Sequence, residues 1–264
     1  MSETAAIFSV TLYFTPALSF FLAKEKHHQP VTRGLCEKTS IKDAVEACGV
    51  PHPEIDFLLC DGVSVGFEHQ IAQDAIVQVY GTADPAPLAG EKLQQRRVTN
   101  FVADGHLGKL ARDLRFLGFD VTYLRDAKDG TLVAMGREGA RALLTRDRRL
   151  LMHKEVRHGY CPRSSDAQEQ IIDVIRRFDL AGLFKPYTRC MQCNGRLRRV
   201  AKSDVLEQLE PLTRIYYDDF RKCSECGKIY WPGSHFGKLE ARLGRIRDRL
   251  HSEDRQPGRI SGSK

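Results

Sequence analysis

Residues 98–124, "VTNFVADGHLGKLARDLRFLGFDVTYL", contain the pattern of a strand, a helix and a second strand in direct succession. Leucines recur at helical spacing from Leu107 to Leu117, and Gly118 stops the pattern, as glycine commonly does at a helix end. The apolar runs on both sides indicate buried strands. Because strands joined through a helix pair in parallel, this stretch predicts an α/β domain built on a parallel sheet.

The same alternation continues along the chain. The segment "TLVAMGREGARALLTRD" predicts a shorter helix and a third strand that ends at Asp147. The segment "GYCPRSSDAQEQIIDVIRRFDL" predicts a short strand and an amphipathic helix capped by Ser164 or Ser165, since serine is a common N-cap. We expect this α/β domain to cover residues 98–187.

The part of the chain before this domain has the pattern of a separate, smaller one. Strands are expected near residues 5–14 and 30–36, followed by a helix capped by Thr39 or Ser40. An apolar run broken by an Asp-Gly turn and a last strand over residues 75–81 come next. Strands and one helix in this order favour a β-grasp arrangement.

We therefore assign residues 1–81 to a β-grasp domain. Residues 82–97 carry prolines, alanines and charges without a strand or helix pattern, and we expect them to form a linker.

Composition and the first apolar segment restrict the class of protein. At 264 residues the chain exceeds most single domains, and its apolar fraction of 42% is that of an ordinary globular protein. The first segment alternates like a strand and lacks the basic start of a signal peptide, and no apolar stretch has the length of a membrane helix. We expect a cytoplasmic protein that makes no membrane contact. Four scattered cysteines are then expected to be small buried hydrophobes: Cys36, Cys48, Cys60 and Cys161.

The net charge of +7 is unevenly distributed. Residues 1–97 hold 8 Lys and Arg against 12 Asp and Glu, whereas residues 98–264 hold 33 against 22. The second part, at +11, is therefore the candidate for binding a polyanion such as RNA.

Four further cysteines occur in two matched motifs, "RCMQCNG" and "KCSECGK". A tetrahedral zinc ion needs four thiolates, and a turn with glycine lets the chain double back around the metal. Cys190, Cys193, Cys223 and Cys226 leave no open position for water, so we predict a structural zinc ion in a ribbon over residues 188–237. Redox activity is the alternative for a single Cys-x-x-Cys motif, and the matched pair makes it less favoured.

Acidic residues follow the predicted strands of the α/β domain. Asp104 ends the first strand, Asp126 and Asp129 follow the second, and Asp147 ends the third. The carboxyl ends of parallel strands share one edge of a sheet, so these carboxylates are expected to converge. Crowded carboxylates are the ligands of Mg²⁺ or Mn²⁺, which can activate water for phosphodiester cleavage. The alternative is that each aspartate caps a helix or pairs with a neighbouring arginine.

Arginines surround these acids, and we expect them to neutralise a substrate phosphate unless they are simply solvated. They are Arg146, Arg148 and Arg149 beside Asp147, and Arg112 and Arg115 on the first helix. Thr145 is expected to orient the Asp147 carboxylate. Residues 238–264 predict a basic helix and a flexible tail, which either contacts RNA or is a solvated surface helix.

Four segments taken together resemble the Mut-seven C-terminal ribonuclease family, which has a PIN-like nuclease fold with an appended zinc ribbon. The segments are "FVADGHLGKLARDLRFLGFD", "LLTRDRRLL", "RCMQCNGRL" and "CSECGKIYWPGSH". The segment "SIKDAVEACGVPHPEIDFLLCDGVSV" is similar to the ubiquitin-like domain that often precedes this nuclease. The resemblance implies a three-layer PIN-like α/β nuclease, a zinc ribbon behind it and a β-grasp domain in front.

The resemblance also implies roles for individual residues. Asp104 and Asp147 would be the main acidic metal ligands, with Asp129 as the third. Many PIN-like relatives have further acids beside the third position, whereas Gly130 and Thr131 follow Asp129 here. Either Asp126 compensates for them or the activity is weak.

Three functions follow from these observations. The leading hypothesis is a ribonuclease dependent on Mg²⁺ or Mn²⁺, and the second is a non-catalytic RNA-binding or ribosome-associated protein that kept the fold. The third is a sulfur carrier, or a protein that docks a partner through its β-grasp domain. Sulfur carriage is disfavoured, because such carriers act through a free terminal Gly-Gly and this segment runs on through Gly81.

Overall fold

The computed structural model describes residues 8–85, 87, 90–233 and 236–254, with side chains described as far as residue 251. Its α-helices, α1 to α7, are Ile41–Glu46, Gly108–Phe116, Asp129–Glu138, Arg148–Leu151, Ala167–Phe178, Pro211–Tyr216 and Phe236–Asp254. Its strands, β1 to β14, are Phe8–Phe14, Val31–Leu35, Thr39–Ser40, Ile55–Cys60, Val63–Ser64, Gln70–Ile71, Ala75–Gly81, Asn100–Ala103, Asp120–Tyr123, Ala142–Leu144, Gly159–Tyr160, Leu197–Val200, Phe220–Cys223 and Ile229–Tyr230. None of the helices within these residues is long and apolar enough to cross a bilayer.

The amino-terminal domain is a mixed five-stranded sheet in the order β2-β1-β7-β4-β5. Strands β1 and β7 are parallel, and the other neighbours are antiparallel. Helix α1 begins after Ser40, whose hydroxyl accepts a hydrogen bond from the Asp43 N–H, and it buries Ile41 and Val45 in the core. The predicted β-grasp class is confirmed by this mixed sheet with one helix; residues 5–7 of the first expected strand lie outside the described residues.

Strands β8 to β11 form a parallel sheet in the order β11-β10-β8-β9, which confirms the predicted α/β class. Side chains alternate between its two faces, as in any strand. Phe101 and Ala103 belong to the apolar cluster that includes α2, α5 and α7. Val102 belongs to a second cluster that includes α3 and α4. The sheet therefore lies between two apolar layers.

The second layer is continuous with the core of the amino-terminal domain. Leu58 and Val79 of that domain belong to the same buried cluster as Leu143 and Leu151 of the α/β domain. A buried ion pair crosses the same boundary, because the Arg163 guanidinium donates to both Glu54 carboxylate oxygens at 3.1 and 2.7 Å. The two domains thus pack as one body around a shared core.

In the segment expected to be a linker, residues 82–97, the described residues form a turn after β7 and no helix or strand. Its second half is nevertheless fixed to both domains. The Gln94 side chain is buried, and the Leu93 N–H donates to the Asp56 carbonyl oxygen at 2.8 Å. Arg96 donates to the Asp56 carboxylate and to the Arg177 carbonyl oxygen. This connection therefore holds the domains in one orientation instead of separating them.

The remaining elements form the ribbon and the last helix, α7. Strands β12, β13 and β14 form a small antiparallel sheet. Helix α7, expected to be basic and either solvated or in contact with RNA, buries Leu243, Ile246 and Leu250 against α2 and α5. Two of its arginines form ion pairs there, Arg242 with Asp113 and Arg249 with Glu169. The expected flexible tail, residues 255–264, lies outside the described residues.

The predicted cap of α5 is wrong by one or two residues. Asp166 is the N-cap, and its carboxylate accepts from the N–H groups of Gln168 and Glu169. Ser164 supports this turn from outside the helix, because its hydroxyl accepts the Asp166 N–H at 3.0 Å. Both residue types are good caps, so the sequence alone could not rank them.

Candidate active site and cysteine cluster

A cleft of about 410 Å³ lies at the carboxyl edge of the parallel sheet, and all four predicted acids line it. They are Asp104, Asp126, Asp129 and Asp147. Gly105 is required at this edge, because a Cβ there would meet the Arg125 carbonyl oxygen at 2.1 Å. The loop after β8 and the loop after β9 therefore approach each other backbone to backbone, and this contact brings their acids to one cleft.

Asp104 is the buried member of the group, with 8% of its surface exposed. One carboxylate oxygen accepts from the His106 N–H at 2.8 Å, and the other accepts from the Thr145 hydroxyl at 2.5 Å. The Thr145 hydroxyl in turn accepts the Asp147 N–H at 3.0 Å. Thr145 was expected to orient the Asp147 carboxylate; it instead joins the Asp104 carboxylate to the Asp147 backbone.

Asp147 is exposed and caps α4. Its Oδ1 accepts from the N–H groups of Arg149 and Leu150 at 2.8 and 3.2 Å. Its Oδ2 has no hydrogen-bond partner among the described residues, so it is available to a ligand in the cleft. The capping role that the sequence left open is thus observed for both Asp104 and Asp147, and it leaves part of the Asp147 carboxylate unused.

Asp126 and Asp129 are exposed, in the loop after β9 and in the first turn of α3. The four carboxylates share the cleft, yet no three of them lie within 4.8 Å of one another among the described residues. Carboxylate oxygens around a cleft suit a hard divalent cation. The residue types in the cleft therefore suit such an ion. Because the carboxylates are separated, their side chains must move closer before three of them can bind the same ion.

The arginines predicted to contact phosphate have different environments. Arg112, Arg146 and Arg149 are exposed. Arg115 is corrected: it is buried, and its guanidinium donates to the carbonyl oxygens of Val121 and Gln192. The sequence could not show that Arg115 is buried, because its long side chain reaches carbonyl oxygens of the ribbon, which is distant along the chain.

Arg148 is also used within the protein. Its guanidinium donates to the Phe20 and Phe21 carbonyl oxygens at 2.8 and 3.0 Å and lies 4.9 Å from the Phe20 ring centroid. This residue joins α4 to the amino-terminal domain. His106 and Arg125 line the cleft and were missed by the sequence reasoning; their only signal was their position just after a strand.

The four cysteines of the ribbon converge. Their Sγ atoms all lie within 4.8 Å of one another, with 3.7 Å between Cys190 and Cys226 and 3.4 Å between Cys193 and Cys223. Burial opposes ionisation of Cys190, but hydrogen bonds from the Tyr230 hydroxyl and from backbone N–H groups outweigh it and lower the pKa of this thiol to about 6. The cluster is positioned to bind a metal ion.

The ribbon is attached at the amino end of β9. The Arg115 guanidinium donates to the Gln192 carbonyl oxygen at 2.8 Å, and the Asn194 side chain accepts the Val121 N–H at 3.1 Å. Asp120 is held by Arg141 and Arg189, and its hydrogen bonds to Arg141 and Asn194 outweigh burial and lower its pKa. The cysteine cluster and the acidic cleft therefore lie at opposite ends of the same sheet.

The comparisons with known proteins divide the chain in the same way. Residues 99–243 match the family model described as Mut7-C RNAse domain, and residues 7–86 match the one described as Mut7-C ubiquitin. The first match alone spans more than half of the chain. Comparison with curated proteins and with solved structures gives no match.

Proposed function

Since the chain belongs to the Mut7-C RNAse domain family, we propose that it is a metal-dependent ribonuclease that cleaves RNA in the acidic cleft. One observation carries the proposal. Four aspartates from three different strand ends line one cleft, and a buried threonine hydroxyl joins two of them, Asp104 and Asp147. Asp104 and Asp147 also cap helical turns, but capping does not explain why Asp126 and Asp129 line the same cleft.

Asp104, Asp147 and Asp129 are the residues that would hold Mg²⁺ or Mn²⁺, with Asp126 beside them. When bound, such ions supply an activated water and stabilise the leaving oxygen of a phosphodiester. Thr145 keeps the Asp104 carboxylate in place, and the α4 cap uses only Oδ1 of Asp147, which leaves Oδ2 for a ligand. Arg125 and His106 line the cleft, where they can neutralise and orient a substrate phosphate.

We assign the cysteine cluster to a structural zinc ion. Four thiolates complete a tetrahedral shell, which leaves no position for a reacting water. In this proposal residues 98–187 are the nuclease, residues 188–237 the ribbon, and residues 1–81 a domain fixed to the nuclease through the segment 82–97.

Asp147→Asn and Asp104→Asn test the proposal. Each variant should abolish Mn²⁺-dependent cleavage of single-stranded RNA, since it removes a negative ligand. The melting temperature should stay unchanged or rise in Asp147→Asn, whereas it should fall in Asp104→Asn, because the single amide oxygen cannot accept from both the His106 N–H and the Thr145 hydroxyl. Asparagine still caps a helix, so α4 should be kept in Asp147→Asn. Asp204→Asn, an exposed aspartate of the ribbon, is the matched control and should cleave normally. Cleavage that survives chelation and both cleft substitutions would rule the proposal out.

A non-catalytic RNA-binding protein is the second candidate, and the separation of the carboxylates favours it. If three carboxylates cannot approach a common ion, the cleft would bind metal weakly. Isothermal titration with Mn²⁺ separates the two candidates, because a nuclease should lose a measurable binding event in Asp147→Asn. RNA binding without Mn²⁺ binding or cleavage would support the second candidate.

A further inference from the structure

A second cavity, about 320 Å³ in volume, lies between the ribbon and the start of α7. Its walls are mainly apolar, and four of the lining residues are aromatic: Tyr187, Tyr230, Trp231 and Phe236. The rings of Tyr187 and Phe236 are stacked, with centroids 4.9 Å apart and planes 20° from parallel. Concave sites lined by apolar rings with few polar groups are typical of small planar ligands.

Trp231 is the only tryptophan of the chain and is 38% exposed at this cavity. A tight turn fixes its position, because the Gly233 N–H donates to the Trp231 carbonyl oxygen at 2.9 Å. A Cβ on Gly233 would meet the indole nitrogen at 2.7 Å, so only glycine lets the ring lie over this turn. The ring is therefore held at the mouth of the cavity with part of its face open.

Two polar side chains, Arg221 and Asp219, also line the cavity. The Arg221 guanidinium donates to the Tyr187 carbonyl oxygen, which holds it at the wall, and its remaining N–H groups can donate to a ligand. Asp219 is exposed; its Oδ2 accepts from Arg199 at 3.4 Å, and its Oδ1 can accept from an amino group of a ligand. A donor and an acceptor beside stacked rings match the edge and the face of a nucleobase.

A basic cleft of about 500 Å³ adjoins the cavity, and Leu197 lines both. Lys185, Arg189, Arg196 and Arg198 line this cleft. Arg189 is paired with Asp120, whereas the other three are exposed and form no ion pair with a described carboxylate. Unpaired cations next to an aromatic cavity complement the alternating bases and phosphates of a single-stranded nucleic acid.

We propose that the ribbon binds single-stranded RNA, with one unpaired base stacked on Trp231 in the cavity and neighbouring phosphates in the basic cleft. The choice of RNA as the nucleic acid rests on the proposed ribonuclease function. The aromatic cavity and the basic cleft are observed independently of that function. Paired bases cannot enter, since a duplex keeps each base inside its stack.

The length of β9, which lies between the ribbon attachment and the acidic edge of the sheet, gives a rough lower limit for a substrate that reaches both sites. Strand β9 has four residues and separates the ribbon from the acidic end of the sheet, which amounts to about 13 Å. At about 3.4 Å for each stacked nucleotide, at least roughly four nucleotides are needed to span it. A 12-nucleotide RNA is therefore a suitable probe.

Intrinsic fluorescence gives a direct test, because Trp231 is the only indole. In the full chain carrying Asp147→Asn, which prevents cleavage, titration with an unstructured 12-nucleotide RNA should quench the emission, and raised salt should weaken the quenching. The same RNA in a duplex should quench little. Trp231→Leu should weaken binding of the labelled 12-mer roughly tenfold by anisotropy, and Trp231→Phe should keep most of the affinity.

Leu212→Ala is the matched control, because Leu212 is an exposed apolar residue of α6 outside the cavity. It should bind RNA as the parent does, and the melting temperature and metal content of each variant show whether the ribbon is intact. A second variant pair, Lys185→Glu with Arg198→Glu, should lower the affinity and the salt dependence. RNA binding without quenching, or full affinity in Trp231→Leu, overturns the inference, as expected if the cavity docks a protein segment. Quenching by a wild-type chain that cleaves nothing would refute the ribonuclease and leave the RNA site standing.

Discussion

The two ends of the parallel sheet carry two sets of metal-type ligands, and the sets are organised differently. At the amino end of β9, four thiol sulfurs lie within 4.8 Å of one another. At the carboxyl edge, four carboxylates line one cleft, and no three of them come that close among the described residues. The two sets of side chains thus differ in how closely the protein itself brings them together.

The cause lies in what else each side chain does. Asp104 and Asp147 accept backbone N–H groups at the start of the next helical turns, so their positions satisfy the protein without any ion. Cysteine sulfurs are weak hydrogen-bond partners, and the turns around Cys190 and Cys223 are closed by backbone hydrogen bonds to Gly195 and Lys228. The four crowded thiolates would repel one another without a cation, whereas the more widely separated carboxylates of Asp104 and Asp147 already cap helical turns. A metal should therefore contribute much more to folding at the cysteine end.

The largest expected effect comes from breaking the cysteine end. Cys223→Ser, or removal of zinc by a strong chelator, should unfold the ribbon, because structural zinc binding supplies folding free energy directly. Metal analysis should find about one zinc per chain in the parent and little in the variant, and limited proteolysis should cut between residues 188 and 233.

Cys48→Ser in the amino-terminal domain is the matched control and should keep the zinc and the protease resistance. A metal-free protein whose ribbon resists protease as well as the parent does would show that the cysteines need no ion. Removal of Mg²⁺ or Mn²⁺ should leave the melting temperature nearly unchanged, because Asp104 and Asp147 already accept backbone hydrogen bonds without an ion.

Much of this contrast can be predicted from the sequence, and the reason is the range of the interactions. Two Cys-x-x-Cys turns are local, so their spacing alone predicted the cluster. The strand-end positions of Asp104 and Asp147 predicted one shared cleft. The sequence could not give the Thr145 hydroxyl as the link between them, because that contact joins residues 41 positions apart.

The sequence also failed to predict side chains that contact a different domain or the ribbon. Arg115 and Arg148 were expected at phosphate, and each instead donates to backbone carbonyls of another module, the ribbon or the amino-terminal domain. Charge and spacing do not distinguish an arginine that binds backbone from one that binds solvent. The packed second half of residues 82–97 was missed for the same reason.

A smaller effect is expected at the acidic end, where Thr145 is fully buried. Thr145→Val removes the hydroxyl that donates to Asp104 and accepts from the Asp147 backbone, so it should lower the free energy of unfolding by roughly 1 to 3 kcal/mol. Mn²⁺-dependent cleavage should fall as well, because Asp104 loses its fixed orientation. Urea unfolding and cleavage rates measure the two effects.

Thr145→Ser keeps the hydroxyl and should recover most of both quantities. If Thr145→Val is destabilised but cleaves RNA as fast as the parent, this hydrogen bond contributes to stability alone. The fixed orientation of Asp104 would then not be needed for cleavage.

The smallest effect concerns a carboxylate between the two ends. Burial against α7 raises the pKa of Asp113 to about 6, although Arg242, Lys109 and Arg112 oppose the shift. Perturbed carboxylates often mark functional sites, but this one lies where α7 packs on α2 and away from the cleft. The folded state binds the Asp113 proton more tightly than the unfolded state does. The stability from this group is therefore present below about pH 4 and is lost as the pH rises through about 6.

Between pH 5 and pH 7 this loss should amount to about 1 kcal/mol of unfolding free energy. Asp113→Asn cannot titrate, so the difference in stability between parent and variant should change by that amount over this range, as urea unfolding at several pH values can measure. Asp248→Asn, an exposed aspartate on α7, should keep the slope of the parent. A parent-minus-variant difference that is flat, or that changes in the opposite direction, would mean that the Arg242 ion pair outweighs burial. The contact between α2 and α7 would then be stabilised by charge, as the ribbon contact at Asp120 is.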